Sequence, residues 1–485
     1  MLLKHSGFYL AAEAVPILLA IISISVYTRY LSTEEYALYS LVMTVVWLAS
    51  ALLVDWLRMS LVRFWNMKKY TKQVLIGSIS SIVNLIMLVS LAIFSITLYI
   101  VNQYYTIPNE IMIAGFVLFF MQSLFNLNMK IKNSLLKAKE YAMINSFRAI
   151  ISISIGIILV ILGFGPISII LALLLAYAIL ILFTSKDIWK YYTAMTLDRQ
   201  LMRSLFIYGL PVAMATTLQV FSNTVDRFLI VQLESLSAAG IYSVAGNLIG
   251  SSLSMLLSSL SVAAYPIVLK ALEEGNKALL EEKLKQYASV FMGFALASVA
   301  GLIMVAPNLL SLLVGKEFLQ GSLEVFPWLA IAELFFATQA FYFAMAFQIK
   351  KNTVQLMWIM LVITIVNVVL NIILIPIYGI LGAAIATMLS SLVGLVLTYY
   401  VGKKFYALPI PKMEIFKIMI ASLVMILAIS GLYDMRGWGW LLVQIVLGAI
   451  VYLGVILAFN VSNIRNDVKE FIQPKLDSFF NKKST

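Results

Sequence analysis

The chain has no cysteine, a single histidine and few charges for its length. Of its 485 residues, 12% are charged and 62% are hydrophobic, and the mean hydropathy is +0.99. Without cysteine there is no disulfide and no thiolate metal site, and with His5 as the only imidazole a histidine-based catalytic pair or metal cluster is excluded. A soluble domain needs more polar surface than this, so the composition predicts a membrane protein.

Long apolar runs predict an all-helical, polytopic membrane protein with about 14 transmembrane helices. A span needs about 20 apolar residues to cross the hydrocarbon core. Turns containing Gly and Pro separate the two closest pairs, at 163–166 and at Pro376. The first run is too long for a cleavable signal and is expected to be retained. Numbered 1 to 14 in chain order, the predicted spans are 7–29, 36–60, 74–101, 111–135, 145–162, 165–185, 204–232, 240–268, 286–313, 321–348, 353–375, 378–402, 412–433 and 438–461.

Positive charge marks one side of the membrane. The net charge is +12, and most of the 34 lysines and arginines lie in alternate loops. The intervening loops carry only Arg29, Lys316 and Arg436. By the positive-inside rule, this pattern predicts a multi-pass protein of the cytoplasmic (inner) membrane with both termini in the cytoplasm. Because the charges follow the loops, no nucleic-acid partner is expected.

Two further absences argue against an enzyme. The loops on the predicted outer side are too short to build a folded domain. There is no Walker motif, so the chain is not expected to hydrolyse ATP. We therefore expect a transporter without a cofactor, driven by an ion gradient (Na⁺ or H⁺), by the membrane potential or by consumption of its product.

Two stretches six spans apart resemble each other. TRYLSTEEYALYSL (28–41) and DRFLIVQLESLSAAGIYSV (226–244) each carry Arg, an aromatic residue and Leu, then a serine-containing turn and Tyr-Ser. Six is an even number, so the two halves would share one orientation, about an axis along the membrane normal. The expected domains are an N-lobe at 1–203 (spans 1–6 and the connecting loop), a C-lobe at 204–404 (spans 7–12), spans 13–14 at 405–461 and a cytoplasmic amphipathic tail at 462–485.

Arginines within or beside the spans are candidates for binding an anionic substrate, because guanidinium groups bind phosphate oxygens bidentately. For Arg58, Arg63 and Arg148, anchoring at the positively charged cytoplasmic side explains the charge equally well. For Arg227, an ion pair with a neighbouring helix is the alternative. Arg29 lies on the predicted outer side, where the positive-inside rule does not explain a basic residue. The five candidates are Arg29, Arg58, Arg63, Arg148 and Arg227.

Acidic residues in the spans are candidates for ion coupling, since a charged group at the bilayer centre costs about 2.5–3.5 kcal/mol on insertion scales. Glu13 in span 1 and Glu333 in span 10 would either titrate or pair with a buried arginine. Asp226 precedes Arg227 in span 7. Asp55 lies three residues before Arg58 on the same helix face, which predicts a structural ion pair.

The segment NVVLNIILIPIYGILGAAIATMLSS (367–391) is polar where the rest of the spans is apolar. Asn367 and Asn371 are four residues apart, and Ala383 and Thr387 repeat that spacing after a turn predicted at 376–379. Two amide oxygens, a hydroxyl and a carbonyl would suit Na⁺. The alternative is interhelical hydrogen bonding by the asparagines with close packing of the small residues.

Several of these motifs together resemble a known family. The motifs are Asn367, Asn371, Pro376-Ile377-Tyr378-Gly379, Gly382-Ala383-Ala384, Ala386-Thr387, Tyr208-Gly209-Leu210-Pro211, Asp226-Arg227 and Leu31-Ser32 with Tyr36-Ala37-Leu38-Tyr39-Ser40. They are similar to the polysaccharide transporter (O-antigen-flippase-like) branch of the multidrug/oligosaccharidyl-lipid/polysaccharide (MOP) exporter superfamily. Ala37 stands where that branch usually has glycine.

The resemblance implies a flippase that moves polyprenyl-pyrophosphate-linked oligosaccharide across the membrane by alternating access. Its cavity would lie between spans 1, 2, 7 and 8, and its pathway would make O-antigen of lipopolysaccharide or an exopolysaccharide. The implied partners are the lipid-linked oligosaccharide, membrane lipids, and a polysaccharide polymerase with its chain-length machinery. By resemblance, a sodium site in the second lobe would use Asp226, Asn367, Asn371 and Thr387, although Asn stands where the pattern has a second acid on span 11.

Three alternatives stay open. A cation-coupled multidrug exporter of the same superfamily would have a more acidic and aromatic cavity, which Glu13 could serve. A lipid II flippase would carry a peptidoglycan precursor. A membrane-embedded polymerase would act on the same lipid-linked sugars, but the short outer loops argue against it.

Overall fold

The computed structural model describes residues 16, 18–65, 67, 70–104, 108–135, 138–185, 198–350, 352 and 354–465. Regular structure within these ranges is helical, as the composition predicted. Glu13 and the amphipathic tail beyond residue 465 lie outside the described residues.

Spans 1 to 6 coincide with apolar helices. Span 2 begins with a capping box, in which the Ser32 hydroxyl accepts from the Glu35 amide and the Glu35 carboxylate accepts from the Ser32 amide. The same span bends at Val54, where one helix ends and the next begins. The helices are Leu18–Tyr30, Thr33–Leu53 with Asp55–Phe64, Lys72–Tyr104, Asn109–Ser134, Ala138–Ile161 and Ile167–Thr184.

Spans 7 to 14 also coincide with helices, several of them interrupted. Span 7 breaks between Ser222 and Val225, and spans 8 and 10 each contain one π-helical turn. In chain order the helices are Arg199–Ser222 with Val225–Leu233, Leu236–Ile249 with the turn Gly250–Ser254 and Met255–Glu273, Lys277–Leu313, Lys316–Ala337 with the turn Thr338–Phe343 and Met345–Ile349, Val354–Lys403, Lys412–Ser430 and Trp438–Ala458.

The count of spans agrees with the sequence prediction. Among the described residues, 11 helices are long and apolar enough to cross a membrane. One of them, Val354–Lys403, contains both span 11 and span 12. Span 1 is described from Leu18 as a shorter apolar helix, and span 7 is divided into two shorter helices. All 14 predicted segments are therefore accounted for.

The turn between spans 11 and 12 is sharper than predicted. The helix continues through Pro376, and only Gly379 leaves helical geometry, with φ 58° and ψ −141°. A proline has no N–H and so removes one hydrogen bond to the preceding turn. Pro376 is tolerated because the helix breaks only three residues later, at Gly379. A positive φ is readily adopted only by glycine, so Gly379 sets the position of the break.

The described residues pack into two compact units. The first takes its residues from Met1–Ser251, Leu313–Ser322 and Thr353–Ser390, and the second from Ser252–Leu312, Leu323–Asn352 and Ser391–Thr485. The lobe boundaries expected at 203/204 and 404/405 stay a prediction. The first unit is centred on fully buried side chains from several spans, which include Leu57, Leu61, Leu118, Phe125, Ile170 and Leu201.

Candidate functional site

A buried carboxylate lies in the first unit, at the break in span 7. Asp226 is in the first turn of the helix that resumes at Val225, and only 2% of its surface is exposed. Its Oδ2 accepts hydrogen bonds from Tyr242 Oη at 2.8 Å and from Thr387 Oγ1 at 2.7 Å. Its Oδ1 accepts from Asn371 Nδ2 at 2.8 Å. Spans 8, 11 and 12 thus converge on one carboxylate.

Two amide oxygens beside this carboxylate have no partner. Asn371 also donates from Nδ2 to the Asn367 carbonyl at 2.9 Å, and Asn367 donates to Ser390 Oγ at 3.3 Å. The Oδ1 atoms of Asn367 and Asn371 are both buried and accept no hydrogen bond. Buried polar atoms are nearly always satisfied, so two orphaned acceptors together require an explanation. We call Asp226, Tyr242, Asn367, Asn371 and Thr387 the Asp226 centre.

The donor set of the Asp226 centre suits a monovalent cation. It offers carboxylate, amide and hydroxyl oxygens, which are ligands for hard cations. A single carboxylate neutralises one positive charge, whereas a divalent ion would leave a buried charge uncompensated. Among the described residues, no group of three or more His, Cys, Asp and Glu side chains could hold a metal ion.

Arg227 follows Asp226 but turns to other partners. Its Nη1 donates to Thr44 Oγ1 of span 2 at 3.2 Å, and its Nη2 donates to Asn247 Oδ1 of span 8 at 2.9 Å. The residue is 8% exposed, so it is a poor candidate for direct substrate contact. The ion pair with a neighbouring helix that the sequence allowed does not form with either partner, because both are neutral.

Spans 2 and 8 pack side by side at the point that Arg227 bridges. Ser40 Oγ donates to Ser243 Oγ at 2.9 Å, and these residues are the matching serines of the predicted repeat, 203 positions apart. Thr33 and Ser237 hydroxyls meet at 2.7 Å. A Cβ on Gly240 would overlap the Thr33 carbonyl oxygen. We call the contact between these two spans the seam, and its pairing of equivalent residues fits the predicted two-fold relation of the halves.

A group of basic residues in the first unit is linked through Arg58 and through Tyr177 of span 6. The Arg148 guanidinium carbon is 5.9 Å from the centre of the Tyr177 ring and hydrogen-bonds its hydroxyl. Arg58 interacts electrostatically with Tyr177 and with Lys130 of span 4. As predicted, Arg58 also forms an ion pair with Asp55. Arg58 thus interacts with Lys130 and, through Tyr177, lies in the same group as Arg148; all three are partly buried, and Asp55 neutralises Arg58.

The remaining predicted site residues lie elsewhere. The Arg63 guanidinium carbon stacks 4.3 Å from the centre of the Tyr208 ring and is exposed. Arg29 is exposed at the end of the helix Leu18–Tyr30. Glu333 belongs to the second unit, where Ser254 hydrogen-bonds its carboxyl group while Oε1 is buried without a partner.

Comparison with known proteins places the chain in a family. The sequence model of the polysaccharide biosynthesis protein family matches residues 26–324, more than half of the chain. The chain belongs to this family. A comparison with the curated proteins gave no significant match.

Solved structures similar to this chain are described as membrane transporters. The lipid II flippase MurJ, in an inward closed conformation, has a TM-score of 0.76 at 17% identity, over 95% of this chain and 100% of that chain. An inward-facing multidrug resistance transporter of the MATE family, in the MOP superfamily, has a TM-score of 0.61 at 13% identity, over 84% of this chain and 98% of that chain. A MOP superfamily transporter from Pyrococcus furiosus has a TM-score of 0.54 at 17% identity, over 84% of this chain and 96% of that chain.

At these identities the likeness establishes the fold. This family member is a multi-pass, all-helical membrane protein with the MOP-superfamily fold, as the resemblance implied. The neighbours in fold are transporters and a flippase, not enzymes, which agrees with the expectation drawn from the short loops. Membership of the polysaccharide biosynthesis family favours a flippase or transporter that serves that pathway.

Several residues of this family member escaped the sequence analysis. Tyr242 was noticed only as half of a repeated Tyr-Ser pair, and Lys130 was counted only as a loop charge. Nothing in the sequence distinguished Tyr177 from the aromatic residues of other spans. The four-residue spacings of Asn367 with Asn371 and of Ala383 with Thr387 did point to a polar helix face, and the family resemblance added Asp226 to it.

Proposed function

We propose that this protein translocates a polyprenyl-pyrophosphate-linked oligosaccharide across the cytoplasmic membrane for surface polysaccharide synthesis, such as O-antigen or exopolysaccharide. The observation that carries the proposal is the basic cluster of Arg58, Lys130 and Arg148. Simple positive-inside anchors would extend to the lipid headgroups. These three partly buried side chains instead interact with one another through Arg58, which is close to Lys130 and, with Arg148, to Tyr177, as a site for an anionic headgroup would require.

The position and charge of the cluster fit a substrate that is loaded from the cytoplasm. The three residues lie near the ends of spans 2, 4 and 5 that the charge pattern predicts to be cytoplasmic. A pyrophosphate carries several acceptor oxygens, which guanidinium forks and a lysine would bind with charge-assisted hydrogen bonds. Only the headgroup needs this polar site, since the polyprenyl chain can remain in lipid.

We further propose that transport is coupled to a monovalent cation, Na⁺ or H⁺, at the Asp226 centre. The support is the combination of one buried carboxylate with the two unpartnered oxygens of Asn367 and Asn371. Within the described part of the chain no direct salt bridge occupies the Asp226 oxygens, because the neighbouring Arg227 donates its hydrogen bonds to Thr44 and Asn247 instead. Na⁺ would bind the carboxylate and amide oxygens, whereas a proton would neutralise the carboxylate alone.

The decisive experiment is the sidedness of the lipid-linked oligosaccharide in cells depleted of this protein. Single repeat units are expected to accumulate on the cytoplasmic face, where mass spectrometry of the trapped lipid identifies the sugar. Normal appearance of single units at the outer face would contradict the proposal.

Substitutions separate the basic cluster from general charge effects. Arg58→Gln and Arg148→Gln are each expected to reproduce the accumulation. The matched control is Lys270→Gln, because the Lys270 side chain is 79% exposed. Equal transport by all three variants would reject the cluster as the headgroup site.

Flipping of lipid II is the second candidate, favoured by the similarity to MurJ over 95% of this chain and 100% of that chain. The two substrates share the lipid pyrophosphate and differ in the sugar. Trapped lipid that carries a peptidoglycan precursor instead of an oligosaccharide repeat would establish this alternative. The polymerase and polysaccharide machinery would then not be partners of this protein.

A further inference from the structure

Asp226 and Arg227 are adjacent in the chain but serve two different structures. Asp226 is held by spans 8, 11 and 12, whereas Arg227 bridges spans 2 and 8 at the seam. We propose that Arg227 is a positioning residue that couples the Asp226 centre to the opening of the seam. The inference rests on the proposed function and removes Arg227 from the set of substrate ligands.

The first step is the electrostatic balance of Arg227. Its guanidinium is buried, and within the described part of the chain the hydrogen bonds it makes go to neutral oxygens, those of Thr44 and Asn247. The acid Asp226 precedes it directly in the chain, is itself buried, and interacts with it electrostatically. A buried cation without a counter-charge is costly, so negative charge on Asp226 stabilises Arg227 in the closed seam.

The second step is what a bound cation does to that balance. A monovalent cation at the Asp226 centre neutralises the carboxylate and leaves Arg227 as an unbalanced charge inside the seam. The strain is relieved when spans 2 and 8 separate and water reaches the guanidinium. Cation binding therefore favours opening of the seam. Two links join the cation site to the seam: the Asp226–Arg227 pair, and span 8, where Tyr242 of the Asp226 centre precedes Ser243 of the seam.

The third step is that the seam is built to open as a unit. Its contacts are short hydroxyl pairs, Thr33 with Ser237 and Ser40 with Ser243, and a glycine against backbone at Gly240. These pairs themselves involve only small side chains. Asn247 also donates to Tyr36 Oη at 3.1 Å, so the Arg227 bridge extends to a second residue of span 2.

The test is a double-mutant cycle read by cross-linking. The chain has no cysteine, so a Ser40→Cys/Ser243→Cys pair reports seam closure through its rate of disulfide formation in membranes. Asp226→Asn mimics the neutralised carboxylate without requiring the identity of the ion. We expect it to slow cross-linking by at least about five-fold, the lower range of typical coupling between sites. In an Arg227→Gln background, the same substitution should change the rate by less than about two-fold.

Controls keep the result interpretable. An Asn128→Cys/Thr184→Cys pair, whose native side chains lie 3.3 Å apart in spans 4 and 6, should cross-link equally in every background and so reports correct folding. If Arg227→Gln fails that control, Arg227→Met takes its place, because it fills similar volume without a polar group.

Two results would overturn the coupling. An Asp226→Asn effect of equal size with and without Arg227 would show that Arg227 does not transmit it. No effect of Asp226→Asn on the seam in the native background would remove the coupling altogether. Failure of the proposed function is a separate result, since the sidedness of the lipid-linked oligosaccharide is measured without cysteine pairs.

Discussion

At the scale of single residues, the Tyr242 hydroxyl orients the carboxylate on which the coupling proposal depends. Tyr242→Phe removes a donor 2.8 Å from Asp226 Oδ2 and a contact 3.1 Å from Thr387 Oγ1. A hydrogen bond to a charged group contributes about 1.5–3 kcal/mol. If the coupling ion is Na⁺, we expect the concentration for half-maximal transport to rise by roughly ten-fold to a hundred-fold. If it is H⁺, the half-maximal proton concentration should fall instead, because loss of a donor to the carboxylate favours its protonated form. Both are measured as uptake of labelled lipid-linked substrate in vesicles against Na⁺ or pH.

The control for this prediction is another tyrosine with a satisfied hydroxyl. Tyr287 donates to the Phe341 carbonyl at 3.0 Å in the second unit. Tyr287→Phe is expected to leave the cation dependence unchanged. A shift of the same size in both variants would mean that the effect comes from general loosening of the helices.

Lys130 is the residue-scale test of the headgroup site that the sequence did not identify. Lys130→Gln removes one of the three clustered cations while keeping a polar side chain of similar length. With a charge-assisted contact of about 1.5–3 kcal/mol lost, transport at limiting substrate should fall at least ten-fold, with little change at saturating substrate. An unchanged dependence on substrate concentration would restrict the headgroup site to the arginines.

At the scale of elements, Gly379 determines where spans 11 and 12 part. Its φ of 58° and ψ of −141° suit glycine alone, and a Cβ there would also lie 2.9 Å from Glu234 Oε1. Backbone strain of this kind costs about 1–3 kcal/mol. Gly379→Ala should therefore lower the thermal midpoint of the purified protein in detergent.

The matched control is a helical glycine whose replacement by alanine causes no clash. Gly454 is helical, exposed and has no neighbouring atom within 4 Å of the position of a Cβ. Gly454→Ala is expected to leave the midpoint unchanged or raise it slightly, since alanine is the better helix former by about 0.5–1 kcal/mol. Equal losses in both variants would show that the position of the turn is not set by Gly379.

The positions of the membrane spans could be predicted from the sequence better than which side chains of each helix face the protein interior. Each span follows from a local property, the length of an apolar run, and the i, i+4 spacing of Asn367 and Asn371 fixed their common face. Lys130 and Tyr177 could not be found in this way. The helix of Tyr177 is apolar at nearly every position, so no periodicity shows which side chains turn inward, and in the helix of Lys130 this lysine is one of many polar residues. Only packing between distant spans shows which of them belong to the cluster.

At the scale of the whole molecule, the distribution of charge makes a prediction about orientation. The loop between spans 8 and 9 belongs to the lysine-rich set, whereas the loop between spans 13 and 14 carries only Arg436. Glu274 and Met435 are exposed positions in these two loops. Since the chain has no cysteine, Glu274→Cys and Met435→Cys each introduce one thiol that a membrane-impermeant maleimide can report.

In intact cells, the reagent should label the thiol of Met435→Cys and leave that of Glu274→Cys unmodified, and both should react once the membrane is permeabilised. The reason is that positively charged loops are retained in the cytoplasm, which makes the basic cluster accessible from the side where lipid-linked sugars would be loaded. The opposite labelling pattern would place that cluster on the outer face. A pyrophosphate headgroup would then meet it only after translocation, and Arg58, Lys130 and Arg148 would have to act in release instead of loading.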